Sequence, residues 1–362
     1  MANRHANGNG NGVGRRAARL GIVGLGRAGG IHFDAAQGLE AAHVAAVCDA
    51  SPAARARAEQ VGVAAYATLD ALLDEARLDG VVVCTPPADH AATTVRCLER
   101  GLHVLCEKPL ALTTWDVLRM LQAANRAQRR VMVASKFRHV PEVMRAKALL
   151  AEGALGTPVS FEVSFCSPVD MTGRWNADPS HSGGGVIIDN GCHALDIIAF
   201  LFGTIDRIQA ARWRAVQPLP VEDSATLQVW AGDGVLGRVD VSWSLDTTRD
   251  SYLVVQGSQA SLEVAWSGAR LKHRGGQWES LGGPYDKLAA HRAMLARFVA
   301  VMRGEAVPWI SAAECLQVVA GVDAAYRSLD SGLAEWVAIR GARELDLVSL
   351  SAPSDAPLAE SM

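Results

Sequence analysis

No stretch of the 362-residue chain approaches the roughly 20 consecutive apolar residues that a membrane span requires. Charge of one sign is lacking too. The formal net charge is −3, so electrostatics give no reason to expect nucleic acid or an anionic membrane surface as a partner. Aromatic residues are few, at 6%. No two of the seven cysteines stand in C-x-x-C spacing, and their number is odd. That argues against a disulfide framework and against a metal centre, and it favours free thiols in a reducing, cytoplasmic setting. The opening "MANRHANGNGNGVGRRAA" has charge but no apolar centre, so it does not read as a secretory signal. Residues 1–17 and 351–362 are expected to be flexible tails.

What is present is an ordinary globular composition, 49% hydrophobic and 20% charged, long enough for two domains. From residue 18 to 138, short apolar runs alternate with helical stretches. The runs are "RLGIVGLG", "HVAAVCDA", "GVVVCTPP", "LHVLCEKP" and "RVMVASKF". Continuous apolar runs of that length suit parallel strands covered on both faces, hence a doubly wound α/β domain. From 139 to 350 the texture changes to period-two segments such as "PVSFEVSFC" and "ATLQVWAG". These predict a large, mostly antiparallel sheet with one face covered. Helices are expected at 140–155, through "GGVIIDNGCHALDIIAFLFG" up to Gly203, and over Lys287–Arg303 and Ala312–Leu329.

The first strand runs into "GLGRAGG", where Gly24, Gly26 and Gly29 satisfy G-x-G-x-x-G. An acid, Asp49, ends the next strand 20 residues after Gly29. Strand, glycine loop, helix and distant acid together make the dinucleotide fingerprint. Gly24, Leu25, Gly26, Arg27, Ala28 and Gly29 are expected around a pyrophosphate, and Asp49 and Ala50 at the adenosine ribose. A carboxylate there accepts from ribose hydroxyls and repels a 2′-phosphate, so NAD is favoured, with Arg55 keeping NADP open. "CTPPADH" follows another strand and places Thr85, Pro86, Pro87 and His90 at the cofactor edge; for His90 a plain turn-and-cap role is an equal alternative.

Within "VLCEKPLAL", Glu107 and Lys108 interrupt an apolar run at the end of a strand. A lysine there is either solvated or held for chemistry beside the cofactor, where its ammonium can bond a reacting oxygen and burial can lower its pKa. Asp189 and His193 stand four apart in an apolar helical stretch, the spacing of one helix face. A carboxylate beside an imidazole supports its cationic form, which suits a general base for alcohol oxidation. A surface Asp–His pair is the plain alternative.

These residues resemble the Gfo/Idh/MocA oxidoreductases, named for glucose-fructose oxidoreductase and inositol dehydrogenase. The likeness rests on "GIVGLGRAGG", "CEKPLALT", "GALGTPVSF" and "RWNADPSHSGGGVIIDNGCHALD", and it spans about residues 18–350. It implies an N-terminal Rossmann domain and a C-terminal α/β domain whose sheet builds a homodimer or homotetramer. It implies Lys108, Asp189 and His193 as the catalytic set, with Glu107 and Lys108 at the cofactor and Lys108–Pro109 as a candidate cis bond. Asp189 is then expected to hold the substrate and tune the histidine. It also implies a sugar or cyclitol substrate, bordered by Arg138, Trp175, Asn176 and Trp243, although each tryptophan is equally read as core. A keto-sugar reductase using NADPH and a silent dinucleotide sensor are the competing readings.

Overall fold

The computed structural model describes residues 16–246 and 249–339. Nearly all of both expected tails, and residues 340–350, lie outside the described residues.

Six strands form the first sheet: β1 (Ala18–Val23), β2 (Ala42–Cys48), β3 (Ala64–Tyr66), β4 (Gly80–Val83), β5 (His103–Cys106) and β6 (Val131–Val133). All pairings are parallel, in the order β3-β2-β1-β4-β5-β6. Helices α1 (Arg27–Ala36), α2 (Pro52–Glu59), α3 (Leu69–Glu75), α4 (Pro87–Glu99) and α5 (Thr114–Ala127) make the crossovers. Val81, Val82 and Val83 are buried, as a two-face-covered strand requires. The short, half-exposed β3 carries no periodicity and was not anticipated from the sequence. Strand order reverses between β1 and β4, which opens a crevice beyond their carboxyl ends.

The second sheet has nine strands: β7 (Pro158–Cys166), β8 (Ile205–Arg212), β9 (Ser224–Ala231), β10 (Val235–Ser242), β11 (Ser251–Gly257), β12 (Ala260–Ala265), β13 (Gly268–His273), β14 (Trp278–Ser280) and β15 (Glu335–Trp336). Their order is β14-β13-β12-β11-β7-β10-β9-β8-β15, and only β7–β10 pair in parallel. Along β7, Phe161, Val163 and Phe165 are buried while Ser160, Glu162 and Ser164 are half-exposed, the expected period of two. The remaining helices are α6 (Pro141–Ala151), α7 (Pro179–Ser182), α8 (Cys192–Phe202), α9 (Lys287–Met302) and α10 (Ala312–Ser331). After the second sheet the chain returns to the first. Met294, Leu295 and Phe298 of α9 share a core with Leu20, Ile22 and Val82.

Two sequence expectations change here. The single helix expected up to Gly203 is interrupted by a π-helical turn, Ile187–Gly191, ahead of α8. The helical span Pro179–Phe202 is also long and apolar enough to cross a membrane by length and composition. In its most apolar window 72% of the residues are buried, so it is a core element of this fold.

Candidate active site

At the end of β1 the chain turns so tightly that a Cβ on Gly29 would lie 1.9 Å from the carbonyl oxygen of Gly24. Only glycine permits that approach of helix to strand. Gly26 precedes α1 as its cap without a side-chain hydrogen bond, and a Cβ on Gly26 would meet no atom within 4 Å. The first amides of α1 therefore face an open cradle, where a helix end attracts an anion. Asp49 pins this loop by accepting the Leu25 amide at 2.6 Å and the Ser51 amide at 2.8 Å. Across the crevice, the hydroxyl of Thr85 is buried without a partner. An open amide cradle, an anchored carboxylate and an orphaned hydroxyl fit a dinucleotide. Ala50 is exposed beside Asp49, Arg27 is exposed at the cradle, and Leu25, Ala28, Pro86 and Pro87 frame the two loops.

Lys108 and His193 line one small cavity with Pro109, Ser135 and Cys192. Lys108 Nζ donates to the Asp189 carboxylate at 2.6 Å and to the Asp189 carbonyl at 2.9 Å. The Lys108–Pro109 bond is cis. Burial pulls the lysine pKa down, but the Asp189 charge and hydrogen bond outweigh it, and the net movement is upward. The ammonium is thus a fixed charge, contrary to the expectation of a lowered pKa.

The expected Asp189–His193 pair is not made. The π turn between them breaks the α-helical register, and Lys108 takes the carboxylate. The imidazole packs edge-on to Phe137, ring centres 5.2 Å apart. Burial, then the charge of Lys108, drives the His193 pKa well below its usual value. The ring is held neutral, the reverse of the cationic support expected from sequence.

Asp189 sits after a glycine turn held from the far side. Glu222 Oε1 accepts the Gly185 amide at 3.1 Å, the Ile187 amide at 3.0 Å and the Tyr326 hydroxyl at 2.8 Å. A Cβ on Gly185 would lie 2.1 Å from the Glu222 carbonyl, so the glycine run of the motif is steric in origin.

Four expected site residues lie elsewhere. His90 is fully buried, its ring nitrogens 2.8 Å from the carbonyls of Pro109 and Thr85; it ties two loops together and does not face a ligand. Glu107 turns inward to His32 at 2.8 Å and receives the Lys108 amide at 3.1 Å. Arg138 is only 1% exposed and is held by Asp196, Glu314 and the carbonyl of Trp309, because a buried guanidinium needs its charge and donors matched. Trp243 is 3% exposed within the apolar core of the second sheet. Trp175, by contrast, is 43% exposed, and Asn176 is half-exposed beside it on the turn Trp175–Ala177.

Comparison with known proteins gives the family. The family described as "Oxidoreductase family, NAD-binding Rossmann fold" matches residues 18–135, and the GFO/IDH/MocA C-terminal domain matches residues 143–263. The chain belongs to the Gfo/Idh/MocA oxidoreductase family. D-apiose dehydrogenase of Paraburkholderia graminis is 29% identical over 357 residues, covering 92% of this chain and 91% of that protein. Inositol 2-dehydrogenase of Rhizobium meliloti is 28% identical over 67% of this chain and 68% of its own. A levoglucosan dehydrogenase solved with NADH and levoglucosan shares the fold, with a TM-score of 0.81 at 21% identity, over 90% of this chain and 100% of that one.

In this Gfo/Idh/MocA oxidoreductase, two lysines at the site escaped the sequence reading. Lys136 follows β6, which lies next to the strand that leads to Lys108, and Lys287 opens α9. A second lysine just past a parallel strand, in "ASKFR", was the signal for Lys136.

Glu107 supplies a stability prediction. Burial alone would raise its pKa, but the hydrogen bond and charge of His32, and then Lys108, bring it down from 4.5 to about 2. Ionised Glu107 therefore stabilises the fold above the unfolded value, and that contribution is lost as the pH falls from 4.5 through about 2. Glu107→Gln is expected to lower Tm at neutral pH, with the gap to wild type closing over that acid window. A gap that stays constant in a calorimetric pH series would show that charge is not what Glu107 contributes.

Proposed function

We propose that this oxidoreductase moves a hydride between NAD and a secondary hydroxyl of a cyclitol or pyranose sugar, with Lys108, Asp189 and His193 as its catalytic set. The observation that carries this reading is the Lys108–Asp189 contact of 2.6 Å at a cavity that the His193 imidazole also lines. Lys108, kept charged by Asp189, donates to the substrate oxygen as negative charge grows there. His193 accepts the hydroxyl proton at its free ring nitrogen. Asp189 holds the lysine in place, and Trp175 and Asn176 border the sugar. The α1 amides hold the pyrophosphate and Asp49 the ribose, and NAD when bound takes up the hydride.

The named substrates of the apiose, inositol and levoglucosan relatives support a sugar or cyclitol. The test is absorbance at the reduced-nicotinamide band with NAD or NADP and a panel of inositols, sugars and sugar derivatives. A rise with one of them and NAD supports the proposal; no change across the panel, in either direction of reaction, rejects it.

A second reading, NADPH-dependent reduction of a keto-sugar, is favoured by Arg55. Its Nη1 donates to the carbonyls of Asp49 at 2.7 Å and Ala50 at 2.9 Å, beside the ribose end of the cradle. Asp49→Ala removes the charge that repels a 2′-phosphate and leaves Arg55 in place. It is expected to raise kcat/KM with NADP relative to NAD by roughly tenfold or more. An unchanged ratio would remove Asp49 from cofactor choice.

We also propose a cytoplasmic homodimer or homotetramer. The seven free thiols support the compartment. The second sheet supports the assembly: it ends in an exposed strand, β14, that carries an exposed Trp278.

A further inference from the structure

Lys136 and Lys287 are the cations at the site that the proposed hydride transfer leaves unused. Among the described residues neither ammonium makes a hydrogen bond or an ion pair. The nearby carboxylates are committed: Asp189 to Lys108, Glu107 to His32 and the Lys108 amide, and Asp286 to the Ala289 amide as the cap of α9.

Lys136 belongs to the same edge as the reacting groups. It follows β6 as Lys108 follows β5, and these strands are parallel neighbours. Its Nζ stands 5.0 Å from the centre of the Phe137 ring, and that same ring meets the His193 imidazole at 5.2 Å. Ammonium and imidazole thus contact the same ring and lie at most about 10 Å apart, and each feels the other: the Lys136 charge is among the causes that lower the His193 pKa. Burial, then the like charges of Lys287 and Lys108, bring the Lys136 pKa down to about 8. Lys287 is lowered by burial and then by the charge of Arg27. A half-buried cation facing other cations is costly unless an anion joins it. Hydroxyls of a neutral polyol would accept its hydrogen bonds but leave its charge uncompensated.

We infer that the substrate is an anionic polyol, a sugar acid whose carboxylate pairs with Lys136 while its reacting hydroxyl lies at Lys108 and His193. This inference rests on the proposed hydride transfer at that site. The cofactor pyrophosphate is the other anion within reach of these cations, and the experiment separates the two.

Matched probes are titrated calorimetrically into the enzyme–NADH complex and assayed with NAD: glucuronate against glucose, galacturonate against galactose, gluconate against glucitol. In at least one pair the acid is expected to bind roughly tenfold more tightly or better. Lys136→Met removes that preference, Lys136→Arg keeps most of it, and NADH affinity moves little in either variant. Neutral partners binding as well as the acids in every pair would overturn the inference. So would a Lys136→Met variant that weakens NADH and not the acids, which assigns the lysine to the pyrophosphate. Equal loss of turnover for acids and neutral partners would also overturn it, by making Lys136 a proton-transfer group. If nothing is oxidised yet acids bind in a Lys136-dependent way, hydride transfer to polyols falls while the anion site stands.

Discussion

Lys108→Ala and His193→Ala should each lower kcat by roughly 10²-fold or more and leave NAD affinity nearly unchanged. The two losses differ in kind. Without Lys108, no fixed positive charge meets the oxygen as the hydride leaves, and the half-buried Asp189 loses its partner. Without His193, the imidazole that takes the substrate proton is missing from the cavity the two residues share. The variants also separate by pH. The charge of Lys108 is among the causes that depress the His193 pKa, so its removal lets that pKa rise. The acid limb of the residual kcat/KM profile in Lys108→Ala should therefore lie at higher pH than in wild type. Lys108→Arg keeps the charge but brings a planar fork into a site shaped for a point donor, and only partial recovery is expected. Cofactor binding followed by calorimetry and turnover followed by NADH absorbance check both halves. Near wild-type turnover in either alanine variant would remove that residue from the mechanism.

Arg138→Met should cost about 3–5 kcal/mol of stability, the usual penalty for breaking one side of a buried ion pair. The guanidinium lies 2.9 Å from Asp196 on α8 and 2.7 Å from Glu314 on α10, and it lies over the Phe200 ring at 4.9 Å. It clamps the segment that carries Lys136 and Phe137 against the helix that begins beside His193. Asp196, whose pKa burial already raises, would be left with the uncompensated charge. Urea unfolding should show an earlier midpoint, with KM for the substrate little changed at a temperature where the variant stays folded. An unchanged midpoint together with a raised KM would return Arg138 to the role of substrate ligand that its sequence position suggested.

These outcomes follow the line between local and distant information. The glycine loop, Asp49 and Lys108 were legible because each depends on a strand, a turn and the start of the next element. Steric rules act there within a few residues: Gly29 meets Gly24 inside one turn. The second sheet was legible in part for a similar reason, since alternation along β7 reports one covered face whatever the partner strand, whereas β8, β13, β14 and β15 were not read from the sequence. Asp189 and His193 were found as residues but misread as a pair. Spacing alone assumes an α-helix, and the π turn arises where Glu222 and Tyr326 hold the preceding glycines.

Charge pairing was settled only by the tertiary structure. Arg138 reaches partners 58 and 176 residues away, and Lys108 reaches Asp189 across 81. No window of sequence encodes which of two acids, Asp189 or Glu107, will face a given lysine. By the same logic Lys136 looked like any solvated lysine until the fold placed it beside Phe137 and left every neighbouring carboxylate engaged. The sequence by itself determined where backbone geometry and residue size are decisive within a few positions: the main strands of each sheet, the glycine turn of the candidate cofactor cradle, and Lys108, Asp189 and His193 as candidates. Which of those side chains are neutral, which are charged and which remain unpaired was decided by packing, because desolvation and Coulomb interactions act between elements that meet only in the folded molecule.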